Sequence, residues 1–178
     1  YPSAPYFGDP YRNFYSEDIY VGYRYFETFA RDKVLYPFGF GLSYTTFDIA
    51  ITGAKQLSDK WDFTVKVTNT GNYSGKEVVQ IYCKAPQGRL GKPSRVLCGY
   101  EKTDTLAPGK SQVMTISVSN AQIASYDDSG VTGHAHCFVL EEGTYRFYAG
   151  SDVRSAKEFY HCPQNSTEDI SRHEQALD

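Results

Sequence analysis

The sequence lacks several things, and each absence excludes a class of function. No apolar run approaches the ~20 residues that a bilayer-spanning helix needs, which argues against a membrane partner. No long block carries one sign of charge, and 18 Lys and Arg against 21 Asp and Glu leave a net charge of −3. Such a balance offers neither a nucleic-acid footprint nor a polybasic membrane patch. No Cys-x-x-Cys pair occurs: Cys83, Cys98, Cys137 and Cys162 are separated by 15, 39 and 25 positions. A zinc knuckle is therefore not expected, and four cysteines are too few for a disulfide scaffold. Buried free thiols in a reducing compartment are expected, which favours a cytoplasmic over a secreted setting. No leader opens the chain, but Tyr1 is not a natural start, so the sequence reads as trimmed and says nothing about export.

What is present is distributed unevenly. Residues 1–44 hold 15 of the 28 aromatic residues, while the following stretch, three times as long, holds 13. The division predicts a domain boundary near Ser43–Thr46. Before it, Pro2, Pro5, Gly8 and Pro10 exclude a helix over residues 1–16. So many rings in a loop imply that it lies across a surface not encoded here. Ser16-Glu17-Asp18 is read as a short helical turn. Ile19–Thr28 fits both strand alternation and helical spacing, and a short helix over Tyr23–Ala30 is the reading adopted. Val34–Tyr44 is the densest apolar and aromatic run. Pro37, Gly39 and Gly41 keep it from being a helix or a central strand. Leu35, Tyr36, Phe38 and Phe40 are expected to pack at a domain seam, with Gly39 and Gly41 allowing close backbone approach.

From Thr45 the pattern is that of an all-β domain. In Trp61–Asn69, Trp61, Phe63, Val65 and Val67 face one way while polar residues face the other. Further strands are expected at Thr46–Gly53, Glu77–Lys84, Arg95–Lys102, Gln112–Ser119 and Ile123–Asp127. Val78-Val79 suggests burial on both faces. Cys137–Leu140 and Thr144–Ala149 are read as a hairpin turning at Glu141-Glu142-Gly143. A last run covers Lys157–His161, and residues 163–178 are read as loop or frayed tail. Seven or eight short strands at even spacing predict an immunoglobulin- or fibronectin-III-like β-sandwich. No Cys…Trp…Cys arrangement supports an antibody-type domain.

Five segments resemble the glycoside hydrolase family 3, the β-glucosidase group, and stand in the family's order. They are Tyr20-Val-Gly-Tyr-Arg-Tyr-Phe26, Leu35-Tyr-Pro-Phe-Gly-Phe-Gly-Leu-Ser-Tyr-Thr-Thr-Phe47, Gly75-Lys-Glu-Val-Val-Gln-Ile-Tyr82, Leu97–Lys102 and Gly143-Thr-Tyr-Arg-Phe-Tyr-Ala-Gly-Ser151. The resemblance covers roughly residues 15–155, and its first two segments are specific in combination. It implies enzymes in which a (β/α)8-type barrel and an α/β sandwich domain share the active site, often with a fibronectin-III-like domain. On that basis residues 1–44 look like the end of the α/β sandwich domain plus linker. Residues 45–160 look like the fibronectin-III-like domain, and 161–178 like a polar tail or linker. The aromatic arm is similar to that of members with permuted domain order, in which the tail would lead into the barrel. The expected partners are the remaining barrel and α/β domains and, through them, an oligosaccharide or β-glycoside substrate. A homo-oligomer is also possible, and no cofactor is expected.

No catalytic, substrate-binding or metal residue is transferred, because the family's acidic nucleophile and its acid/base Glu have no counterpart in these segments. A retaining glycosidase needs two carboxyl groups about 5–5.5 Å apart. Glu141 and Glu142 are read instead as a solvated turn, Glu17-Asp18 as a helix start and Asp127-Asp128 as loop. His134 and His136 flank Cys137 only at alternate spacing, with no third ligand and no supporting shell evident. Asn72-Tyr-Ser74 and Asn165-Ser-Thr167 match the glycosylation pattern and are read as surface loops. Tyr23, Arg24 and Tyr25 could stack on and donate to a sugar, but packing at the domain junction is the preferred reading. Loop Ala85–Ser94, flanked by Lys84 and Arg95 and carrying Arg89 and Lys92, is read as solvated, or as an arm toward an active-site mouth. As an alternative, exposed Tyr82, Tyr100 or Tyr148 would make the sandwich a carbohydrate- or partner-binding module.

Overall fold

The alternating pattern of Lys60–Asn69 (β2) sets the architecture. Its odd-numbered side chains from Trp61 to Val67 are buried and its even-numbered ones face outward, as a half-buried strand requires. In the computed structural model, which describes residues 8–12 and 14–173, β2 is the centre of a three-stranded antiparallel sheet. It lies between Phe47–Gln56 (β1) and Ser111–Ser119 (β5). A second, four-stranded sheet has the order β4-β3-β8-β9. Its strands are Val78–Lys84 (β3), Val96–Lys102 (β4), Gly143–Gly150 (β8) and Lys157–Gln164 (β9).

The two sheets pack face to face. Trp61, Phe63, Val65 and Val67 of β2, with Ile116 and Val118 of β5, meet Val79, Ile81 and Cys83 of β3 and Phe147 of β8 in one buried cluster. Phe63 and Phe147 have ring centroids 5.0 Å apart. This is the expected sandwich. Val79, Ile81 and Cys83 face that core, while Gln80 and Tyr82 are buried on the opposite face of the same strand. β3 is thus covered on both sides, as its Val-Val pair suggested. The other cover is shared by the β8–β9 connection, whose Val153 and Ala156 pack with Tyr82, and the segment before the sandwich, which adds Tyr23. That segment comprises a helix, Tyr23–Phe29 (α1), a single 3-10 turn, Arg31–Lys33, and the irregular run that follows.

Between β5 and β8 the chain inserts a four-residue helix, Asn120–Ile123 (α2), and two short strands, Ser125–Asp127 (β6) and Cys137–Leu140 (β7). β7 pairs with β6 on one side and with Glu168–Arg172 (β10) on the other. Two expectations are corrected here. Cys137–Leu140 and Thr144–Ala149 do not form a hairpin: at Glu141-Glu142 the chain leaves one sheet and enters another. Residues 163–178 are not simply loop or tail: β9 continues to Gln164 and β10 adds a third strand beside β7.

Two turns are held by single buried side chains. Asn69 uses its full hydrogen-bonding capacity: Oδ1 accepts from Thr45 Oγ1 (2.7 Å) and Gly71 N (3.0 Å). Its Nδ2 donates to the carbonyls of Tyr73 and Leu106, both at 2.7 Å. Asp127 accepts from Gly130 N, Val131 N, Thr132 N and Thr132 Oγ1. All four cysteines are buried and free.

Candidate functional site

The side of the four-stranded sheet turned away from the core carries a connected set of polar and aromatic contacts. Helical spacing places Tyr23 and Glu27 on the same face of α1, toward the sheet. Tyr23 stacks on Phe38 (centroids 4.2 Å apart, 17° between planes) and meets Tyr82 edge-on. Its hydroxyl accepts from Leu97 N at 2.8 Å. Glu27, only 7% exposed at its side chain, pairs with Arg154 at 2.8 Å and Arg31 at 3.4 Å. Thr28 Oγ1 accepts from Ser94 N (2.9 Å), and Ser94 Oγ donates to the Glu27 carbonyl (3.0 Å). Arg95 donates to the carbonyls of Val153 and Ala156 and lies 3.9 Å over the Tyr148 ring. The arm is bolted to the sheet rather than packed on a core of its own, since α1 buries no residue fully.

Gly39 is where the backbone comes closest. It has φ +88, and a Cβ there would lie 2.6 Å from the Gln80 side chain and 3.0 Å from Asp152 Cα. Only glycine accepts both that dihedral and that contact. The neighbouring Phe38 carbonyl accepts from Val153 N at 3.0 Å. The rest of the run differs from expectation. Leu35 is 91% exposed, Tyr36 and Phe40 touch one another in solvent, and Gly41 has open space around it. Leu42 and Tyr44 are 92% and 96% exposed. Phe38 alone packs against the sheet, through Tyr23.

Glu141 overturns the solvated-turn reading. Its carboxylate and the Lys92 ammonium form an ion pair with side chains 5% and 3% exposed. The carboxylate also accepts from Arg89 N (2.6 Å) and Leu90 N (3.4 Å), and Lys92 Nζ donates to the Pro86 carbonyl (2.9 Å). A Cβ at Gly88 would stand 2.3 Å from Glu141 Oε1. Loop 85–94 is thus pinned by the sheet crossing, and Lys92 and Pro93 are buried where a solvated loop was expected. Sequence reasoning missed both partners because they lie 49 positions apart, with no local signal.

The other candidates separate. Glu142 and Asp128 are exposed and Asp127 holds its own loop. Asp18 sits at φ 50 in a turn, so no helix starts there. His134 Nδ1 contacts Asp169 at 2.5 Å, and Asp169 also meets Arg172. Among the described residues no group of three or more His, Cys, Asp or Glu side chains could hold a metal ion. Tyr82 and Tyr148 are buried, which removes them as binding platforms; Tyr100 stays exposed. Burial pushes the thiols of all four cysteines up, away from nucleophilic character. Beside loop 85–94 lies a cleft of about 650 Å³, lined among others by Arg24, Arg89, Tyr126 and Phe138.

Comparison with known proteins follows the same outline. A model of the fibronectin type III-like domain matches residues 77–153. The chain is 55% identical over 177 residues to a β-glucosidase of Ruminococcus albus, covering 99% of this chain and 19% of that protein. It is 49% identical over 160 residues to β-glucosidase A of Butyrivibrio fibrisolvens, covering 80% of this chain and 19% of that one. The solved β-glucosidase of Paenibacillus barengoltzii superposes with a TM-score of 0.95 at 47% identity, over 99% of this chain and 20% of that one. A Bifidobacterium adolescentis GH3 β-glucosidase gives 0.73 at 28% identity, over 90% and 23%. The chain therefore spans about a fifth of the length of the relatives it matches.

Proposed function

We propose, from the premise that this chain is a fibronectin type III-like segment of the glycoside hydrolase family 3 β-glucosidase kind, that it is the non-catalytic scaffold of a larger retaining β-glycosidase. The larger enzyme would release terminal β-linked sugars, with both reacting carboxyl groups on its barrel and α/β domains. In this reading residues 1–44 are the end of the α/β domain plus linker. The sandwich from residue 45 onward, with β10 as part of its body, fixes how the catalytic domains sit.

One observation carries the reading. The arm is clamped to the sheet and its adjoining loops through Tyr23, Glu27, Thr28 and Gly39, yet Leu35 between those clamps and Leu42 and Tyr44 after them stay in solvent. Large side chains held out on an anchored segment suit a surface that another domain covers. The buried carboxylates support it further: Glu141 is neutralised by Lys92 and Asp127 is occupied by its own turn, each used to hold a loop.

The test is turnover of an aryl β-glucoside. The purified chain should show none, and the longer enzyme should lose its activity when residues 45–172 are deleted. Hydrolysis by the chain itself, or full activity without the segment, would sink the scaffold reading.

A further inference from the structure

We propose that the cleft between loop 85–94, the turn before α1 and the β6–β7 pair binds a neutral oligosaccharide. At about 650 Å³ it lies within the usual range for ligand pockets. Tyr126 and Phe138 stand opposite one another in the β6–β7 register, with ring centroids 5.0 Å apart and planes at 50°. Both rings are exposed and line the cleft. Exposed aromatic faces of this kind match the C–H faces of pyranose rings, which are the apolar part of a sugar.

The charges select the ligand. Lys92 is taken up by Glu141. Arg89 uses one guanidinium nitrogen on the Val131 carbonyl, at 2.9 Å. Arg24 has no side-chain partner among the described residues. Asp18 and Asp128 line the same cleft, and neither carboxylate has a partner among the described residues. Two guanidinium groups and two carboxylates sum to zero. An anionic ligand would meet both aspartates and a cation both arginines, each at a cost. A neutral polyol takes donors from the arginines and acceptors from the aspartates. The walls are also held before any ligand arrives, since Glu141 fixes Arg89 through its backbone and Asp127 fixes the turn that presents Val131. Preorganisation of this kind lowers the cost of binding.

The probe is cellotetraose, a neutral β-linked tetrasaccharide, titrated into the ¹⁵N-labelled chain and followed by amide shifts, with inorganic phosphate as the anionic comparator. Shifts are expected in residues 18–24, 88–92 and 124–131, with phosphate causing none there. Arg24→Ala, and separately Tyr126→Ala with Phe138→Ala, should each weaken binding at least tenfold. Their unliganded spectra check that the fold is intact. The proposal falls if the native chain shows no shifts up to about 10 mM sugar. It also falls if phosphate competes, or if both variants bind like the native chain. Because the readout is binding, failure here leaves the scaffold reading standing, and a scaffold failure leaves the cleft standing.

Discussion

At the scale of single residues, the Lys92–Glu141 pair decides most. A buried pair is weak evidence of net stabilisation, because desolvating two charges offsets much of their attraction. Breaking it is different, since the remaining charge is left uncompensated. Glu141→Ala should cost about 3–5 kcal/mol in urea unfolding, and it also strips two backbone N–H groups of their acceptor. Lys92→Met with Glu141→Gln should cost clearly less than Glu141→Ala. A double variant as unstable as Glu141→Ala would show that the pair's charge is not what matters. Asp127 is a second case. Burial raises its carboxyl, but hydrogen bonds from Thr132, Gly130 and Val131 more than offset this and leave it below the ordinary value of 3.8. Its folded pKa is depressed, so its contribution is complete above that ordinary value and fades as pH falls through the lower folded one. Asp127→Asn should lower stability at neutral pH and flatten the acid limb of the stability profile. Urea midpoints measured from about pH 2 to about pH 7 give both effects; an unchanged acid limb would remove Asp127 from the account.

At the scale of elements, the arm is the informative case. Tyr23→Ala removes the stack on Phe38 and the acceptor for Leu97 N, while Glu27 and Thr28 keep their partners. Amides of α1 should then exchange with solvent at least tenfold faster, with β2 unaffected, as expected for a locally attached unit. Equal acceleration in β2 would mean that the arm is part of the global folding unit instead. The elements also show what sequence can reveal. β2 is legible because its alternation is the direct consequence of one buried face; the short helix is only half legible, because Tyr23, Phe26 and Ala30 recur at helical spacing while Ile19, Val21, Tyr23 and Tyr25 alternate like a strand. β10 was hidden because Glu168–Arg172 contributes one apolar side chain, Ile170, and is held by backbone pairing, which leaves little trace in composition. The false hairpin arose because Glu141-Glu142-Gly143 has turn chemistry in both readings. What distinguishes them is Lys92, buried under the crossing from a distant part of the chain. The cleft was equally illegible: Arg24, Arg89 and Tyr126 meet only through topology.

At the scale of the whole molecule, the question is what covers the residues that the arm leaves outside. Burying a leucine side chain is worth about 1.5–3 kcal/mol, so Leu35 and Leu42, together with the Tyr44 ring, represent an interface term that this chain does not realise alone. Their near-complete exposure makes a separable prediction. Replacing all three by serine should leave the melting temperature of this chain within about 2 °C, since no packed contact is lost. On the scaffold reading, the same substitutions should shorten the half-life of the longer enzyme's activity at elevated temperature several-fold, because they would weaken an interface between sandwich and catalytic domains. The two measurements exclude one another's artefacts. A fall in the chain's own melting temperature would place these residues in the sandwich's stability rather than at an interface. An unchanged half-life in the longer enzyme would show that no domain docks on them. If the chain instead sediments as a dimer that the serine substitutions dissolve, the covering surface is a second copy, and the scaffold acts between subunits rather than within one.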